Sequence, residues 1–340
     1  MKRPLLQTEN RVYRTYRGGE MLERLLGKEE PKNSFQPEDW ISSFVQAKNR
    51  NYVEGEGISH VLVDGIEMPI TEAISKEDFG PGRADSGVLI KYLDAAERLG
   101  IQVHPTPAFS KLHFGTNYGK TECWHILDTN GDAAVYIGFK KGITREKWQE
   151  LFEKQDIPGM LNALHRFSVK KGDTILVRAG TPHAIDAGCF LLEIQEPTDY
   201  TMRVERVTLA RETLTPHQIH YGVGEAAMLD CFMYEGLTEA EARALYFLQP
   251  RTEGALQTLV SYEDTPCFEL KKTVGEVTIT LDHYLTLVIT KSGEIKVGDT
   301  LLPAKRGETY FLPYGCGTVQ FGDAEAILCY PPKIKGECQA

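Results

Sequence analysis

Two stretches far apart in the chain share one pattern: "KKGDTILVRAGTPHAI" at 170–185 and "AKRGETYFLPYGCGTVQ" at 304–320. Each runs Gly-Asp/Glu-Thr, then an alternating apolar segment, then a glycine-containing turn, which is the pattern of a jelly-roll hairpin, and its recurrence points to two similar β lobes. From residue 260 onward the chain is a succession of short alternating segments, among them "VTITLDHYLTLVITKSGEIKVG" and "GTVQFGDAEAILCY", at the spacing of a sandwich or barrel. The second copy of the pattern lacks the histidine of the first. The chemistry is therefore expected in the first lobe, residues 1–255, with 256–340 as a smaller C-terminal jelly-roll lobe.

The same reading places helices between strands. "TREKWQELFEKQDIPGMLNAL" carries Thr144 as an N-cap and breaks at Pro158-Gly159, giving two short helices. "TEAEARALYFL" opens with Thr238 and Glu241 in capping-box spacing. Helical insertions are thus expected at about 144–165 and 209–250. In "GVLIKYLDAAERLG", Leu89, Tyr92, Leu93, Ala96 and Leu99 recur at helical spacing before Gly100, which predicts a further helix. Residues 1 to about 85 read as short strands joined by turns, and 101–139 as strands and a glycine-rich loop. The fold class is mainly β, with inserted short helices.

Composition excludes several functions. A net charge of -10 argues against nucleic acid as a partner. The first residues have no apolar core of signal-peptide length and no run approaches a membrane span, so a cytoplasmic protein without a membrane partner is expected. The seven cysteines are scattered singly with no C-x-x-C, which indicates neither a disulfide framework nor a thiolate metal cage. Oligomeric state is not legible.

In a strand, residues two apart share a face, so Gln102 projects with His104 and Glu122 with Trp124, while His183 follows the Gly180-Thr181-Pro182 turn. Two imidazoles, a carboxylate and an auxiliary amide oxygen form a nitrogen/oxygen ligand set suited to Zn²⁺ and, less selectively, to Mn²⁺, Co²⁺ or Fe²⁺. Spacing alone is equally that of buried structural side chains. Glu193 stands inside the apolar run "LLEIQ", where a carboxylate needs either a hydrogen-bonded partner or a task. His125 is out of phase with Glu122 and should point away from the lumen.

"QVHP", "YGKTECW", "KKGDTILVRAGTPHAI" and "LLEIQEPTDYTMR" resemble, in order, consecutive signatures of the type I mannose-6-phosphate isomerase family, a cupin-type metalloenzyme group. "YRGGEMLERLLG" and "GVLIKYLDAAERLGIQVHP" are similar to its N-terminal element and to its passage into the metal strand. The resemblance implies two cupin-type jelly-roll lobes and a metal held by Gln102, His104, Glu122 and His183. It implies Arg203 as the catalytic arginine behind Glu193 and Asp199, Glu193 as the base, and Lys120 as the lysine before the metal-binding glutamate. Without it, Arg203 and Lys120 read as surface cations. The implied reaction is aldose–ketose isomerisation of a phosphorylated sugar, mannose 6-phosphate to fructose 6-phosphate. The alternatives are an isomerase of another anionic hexose, such as a 6-sulfonated sugar, a metal-dependent oxygenase, and a non-catalytic sugar-sensing cupin. The chain departs from the family at Arg17, Thr106-Pro107 and Val204-Glu205-Arg206, positions expected around the substrate, where Glu205 would repel a phosphate if it faced the pocket.

Overall fold

The computed structural model describes residues 2–334, so Cys338 lies outside the described residues. Among the described residues the strands form two stacked pairs of antiparallel sheets and a separate two-stranded sheet, His60–Val63 with Ile66–Pro69. In the first pair, a seven-stranded sheet has the order Phe247–Leu248, Thr174–Val177, Glu122–Thr129, Cys189–Gln195, Leu89–Ala95, Glu38–Ile41, Arg11–Val12. It packs on a five-stranded sheet ordered Leu164–Ser168, Ala134–Phe139, His183–Ile185, Gln102–Val103, Met202–Arg203. Leu93, Trp124, Ile175 and Leu191 from the first meet Val135, Ile137 and Ile185 from the second. The second pair joins a seven-stranded sheet centred on Leu285–Lys291 and Glu325–Tyr330 to a four-stranded sheet built on Gly293–Val297 and Thr318–Phe321.

The two seven-stranded sheets face each other. Ile90, Leu192 and Ile194 of one pack with Val260, Leu270, Val288 and Ile327 of the other. The outer face of the five-stranded sheet is closed by the helices Arg145–Lys154, Ile157–Asn162, Pro216–His220 and Glu225–Asp230 over Val103, Phe139 and Ala184. The expected division at 255/256 is crossed at the N terminus, where Leu5–Leu6 pairs with Thr309–Leu312 of the second pair. Among the described residues no helix is long and apolar enough to cross a membrane.

This stacking explains the main misreading of the sequence. Leu89–Ala95 is a strand and not a helix, and all seven of its residues are buried. Because another sheet covers each of its faces, it has no polar side to mark a period of two, and its apolar residues coincide with helical spacing. Three α-helices also went unread, the four-residue Ile70–Ala73 among them. Pro107–Phe114 is capped by Thr106, whose Oγ1 accepts from Phe109 N, and ends at Gly115. Glu20–Leu25 has no cap of its own; the distant carboxylate of Asp94 accepts from Gly19, Met21 and Leu22 N–H.

The insertion helices form as expected, but the break between the first two lies at Gln155 and Asp156, with Pro158 inside the second helix's first turn. The repeated pattern is not a hairpin within one sheet. Thr174–Val177 and His183–Ile185 belong to different sheets, and so do Thr309–Leu312 and Thr318–Phe321. In both lobes the glycine turn carries the chain across the sandwich.

Candidate metal centre and substrate pocket

The crossing at Gly180-Thr181-Pro182 delivers His183 opposite Gln102, its register partner in the five-stranded sheet. His104 follows that strand, and Glu122 begins the strand facing it. His104, Glu122 and His183 are all buried, with one potential ligand atom from each lying within 4.8 Å of the others. Nε2 of His104 is 3.1 Å from Glu122 Oε2, and Nε2 of His183 is 3.3 Å from Glu122 Oε1. Both rings are oriented from behind. Nδ1 of His104 lies 3.0 Å from the Tyr200 carbonyl and Nδ1 of His183 lies 2.9 Å from the Thr181 carbonyl. A carbonyl only accepts, so each Nδ1 carries the proton and each Nε2 presents its lone pair to the cluster.

Electrostatics keeps these donors in ligand form. Burial, then the Lys120 ammonium, pushes His104 down to about 3; burial lowers His183 likewise. Burial would raise Glu122, but Lys120 and the imidazoles hold it well below the usual carboxylate range. Two neutral imidazoles and one carboxylate, without a thiolate, fit Zn²⁺ and its borderline neighbours. Gln102 is adjacent, with Nε2 3.2 Å from His183 Nε2, so its nitrogen faces the cluster; as a ligand its amide would present the oxygen instead.

Lys120 donates to His104 Nε2 at 2.9 Å and to Glu122 Oε2 at 3.0 Å. Beside this cluster opens a pocket whose lining includes Gln102, Lys120, Glu193 and Arg203. Arg203 is fixed through Nη1, which donates to the carbonyls of Gln218 (2.8 Å) and Thr201 (3.2 Å). Glu193 projects from Cys189–Gln195, paired across the sheet with Lys91 on one side and Trp124 on the other. Its Oε1 lies 3.2 Å from Lys91 Nζ, an ion-pair distance that lacks hydrogen-bond alignment, so this oxygen has no directed donor. Burial, reinforced by the nearby Glu122 charge, pushes Glu193 up to about 7 despite Lys91.

The pocket also contains residues that the sequence reading missed. Arg14 Nε donates to Glu38 at 2.9 Å and Arg14 Nη2 to Asp199 at 3.3 Å, while Lys91 is 3.5 Å from Glu38. Tyr16 Oη and Trp40 Nε1 also donate to Glu38. Burial would raise Glu38, yet Arg14 and Lys91 hold it far below its ordinary range. Lys48 reaches the pocket with its ammonium 4.6 Å above the Tyr200 ring. The lining carries six cationic side chains (Arg14, Lys48, Arg50, Lys91, Lys120, Arg203) against four acidic ones (Glu38, Glu193, Asp199, Glu212), in a chain whose net charge is -10. A locally positive cleft in an acidic protein selects an anion.

None of the departures from the family pattern lines this pocket. Arg17 is exposed, Thr106 caps a helix, and Val204 is in the core beneath the helices. Glu205 takes both guanidinium arms of Arg98 (2.6 and 2.9 Å) and the Ile101 N–H, and Arg206 pairs with Glu225. The expected repulsion of a phosphate by Glu205 therefore falls away. His125, one position off the Glu122 face, lies on the opposite side of its sheet and bonds Thr174 Oγ1 through Nδ1.

No family model matches the chain. Over 117 residues it is 41% identical to GmuF, a probable mannose-6-phosphate isomerase of Bacillus subtilis, a match covering 34% of this chain and only 36% of that protein. Over 250 residues it is 27% identical to the mannose-6-phosphate isomerase ManA of the same organism, covering 72% and 74%. The structure superposes on the crystal structure of the Bacillus subtilis mannose 6-phosphate isomerase with a TM-score of 0.77 at 23% identity, covering 97% of this chain and 100% of that one. A zinc-bound mannose 6-phosphate isomerase superposes with a TM-score of 0.74 at 16% identity, covering 97% and 100%. At such identities the superpositions speak to the fold alone.

Proposed function

We propose that the chain belongs to the type I mannose-6-phosphate isomerase family of cupin-fold proteins and is a metal-dependent aldose–ketose isomerase that interconverts mannose 6-phosphate and fructose 6-phosphate. The observation that carries this reading is the convergence of Glu193, Arg203, Lys120 and Gln102 on one cationic pocket, with the last two touching the His104–Glu122–His183 cluster. Isomerisation removes a proton from C2 and returns it at C1, and its barrier comes from the charge that develops on the sugar oxygens.

Glu193, raised to about 7, is a carboxyl group able both to take that proton and to give it back near neutral pH. Arg203, with Nη1 committed to two carbonyls, is held at the pocket wall as a fixed cation for the developing oxyanion. Lys91, paired with Glu193 and Glu38, keeps the base in place and limits its rise. His104, Glu122 and His183, with Gln102 as the weakest donor, would hold a divalent ion, most suitably zinc, which supplies electrophilic polarisation of the sugar oxygens.

A phosphorylated sugar is favoured over a free one by the excess of pocket cations, and the committed state of Glu205 removes the reason to prefer a different C6 anion. The test is turnover of mannose 6-phosphate by Glu193→Gln and Arg203→Ala. Each should lose on the order of 10²-fold in kcat with metal content unchanged, and Glu193→Gln should also stop deuterium exchange at C2. Near-normal turnover in either variant removes that residue from the mechanism.

A further inference from the structure

The substrate pocket has a floor and a mouth of different character. Glu193, Lys91 and Lys120 line the floor, next to the His-Glu-His cluster, and all three are buried. Lys48 and Arg50 line the mouth and are exposed, on the loop that follows the strand Glu38–Ile41. An aldose that offers C1 and C2 to Glu193 on the floor must point its other end, C6, outward past this loop.

The six cations of the pocket differ in how far they are engaged. Arg14 is taken by Glu38 and Asp199, Lys91 by Glu38 and Glu193, and Lys120 by His104 and Glu122. Arg203 is fixed on two carbonyls of the wall, and Arg50 Nη1 lies 3.0 Å from Glu212. Lys48 differs from the other five. Among the described residues no carboxylate pairs with its ammonium, which stands 4.6 Å above the Tyr200 ring. Its place is set by its backbone and by that ring. Lys48 N donates to Asp199 Oδ2 at 2.8 Å, and Asp199 is itself held by Arg14. The Tyr200 ring stacks on Phe114 with centroids 4.0 Å apart, so the platform under the ammonium is fixed as well. A lysine held over a π face keeps N–H groups directed away from the ring, where they can meet an anion.

We propose that Lys48 is the specificity-determining cation of this pocket, the side chain that binds the C6 phosphate, with Tyr200 as the platform that holds its ammonium at the mouth. This rests on the isomerase reading above and adds to it which cation tells a phosphorylated hexose from a free one. A point charge on a flexible stem meets a phosphate oxygen without the fixed fork that a guanidinium requires, and Arg50 can stay on Glu212 while it does so.

The test reads binding apart from turnover. Mannitol 6-phosphate, a polyol with no carbonyl to isomerise, is titrated calorimetrically into the metal-replete full chain, with mannitol as its uncharged counterpart. The parent should bind the phosphate about tenfold or more tightly than mannitol, K48M should lose about tenfold or more of that affinity, and K48R should stay within about threefold of the parent, because it keeps the charge. In turnover, K48M should raise KM for mannose 6-phosphate by the same factor while kcat and metal content change by less than about twofold. A purely structural role, acting through Tyr200 and its carbonyl on His104, would lower kcat and metal content instead. If the parent distinguishes the two polyols but K48M binds the phosphate as tightly as the parent, the proposal is overturned and the isomerase reading stands. K48R as weak as K48M would overturn it too, since the lost contact would not be one of charge. A parent that binds both polyols alike would defeat the phosphate assignment itself, and the role of Lys48 with it.

Discussion

Replacing Lys91 with methionine keeps the volume of the side chain but removes the cation that, among the described residues, is ion-paired to Glu193. Lys91 is 4% exposed and lies 3.2 Å from Glu193 and 3.5 Å from Glu38. Glu38 keeps Arg14, Tyr16 and Trp40, so its loss is one charged contact, worth about 2 kcal/mol. Glu193 keeps no aligned donor at Oε1 and responds by holding its proton to higher pH. A carboxyl group raised in the folded state costs stability as pH climbs from its unfolded value, near 4.5, through its folded one. In the parent protein that decline ends near pH 7, where Glu193 ionises. In Lys91→Met the decline continues above pH 7 at about 1.4 kcal/mol per pH unit, the linkage slope for one proton. The deficit of the variant should therefore be about 2 kcal/mol and flat from pH 5.5 to 7, and grow to about 4 kcal/mol by pH 8.5, within the range for breaking a buried pair. Urea unfolding of metal-free protein, followed by the fluorescence of the buried Trp40, Trp124 and Trp148, gives both quantities. A deficit that does not change between pH 7 and 8.5 refutes the assignment of Lys91 as the charge partner of Glu193.

Other perturbations test separate parts of the account. His104→Ala and His183→Ala should each reduce bound metal from one ion per chain to near zero by mass spectrometry of dialysed protein, and full occupancy in both would remove the site. Arg98→Ala strands the buried Glu205 carboxylate with a single N–H and should cost about 3 kcal/mol in urea unfolding; a change under about 0.5 kcal/mol contradicts that pairing. Gly18→Ala would place a Cβ 1.7 Å from the Asp94 carbonyl oxygen, so backbone must move, with an expected loss of about 2 kcal/mol or more. Unchanged stability there would mean that the contact is not this tight.

What could be read in advance follows from where each signal resides. His104, Glu122 and His183 are legible because a strand's period of two and short ordered motifs act over a few residues. Glu193 is legible because it breaks an apolar run. Lys91 breaks an apolar run in the same way, yet it was lost because Leu89–Ala95, covered on both faces, mimics a helix in which a lysine would face solvent. Arg14 and Glu38 carry no local signal at all. They meet only because Glu38–Ile41 pairs with Leu89–Ala95, and Arg14 reaches Asp199 across 185 residues of sequence. The pairing that takes up Glu205 has the same origin, since its partner Arg98 is 107 residues away.

The central claim is that a cationic pocket beside a His-Glu-His centre isomerises a phosphorylated hexose, and it is tested most directly by comparing kcat/KM for mannose 6-phosphate and for mannose with metal-replete protein. Two charge-assisted contacts to a phosphate are worth about 3–6 kcal/mol, so the account predicts fructose 6-phosphate as product, a preference of at least about a hundredfold for the phosphorylated sugar, and loss of turnover on chelation. Equal turnover of the two sugars, or turnover undiminished by complete removal of the metal, would contradict it.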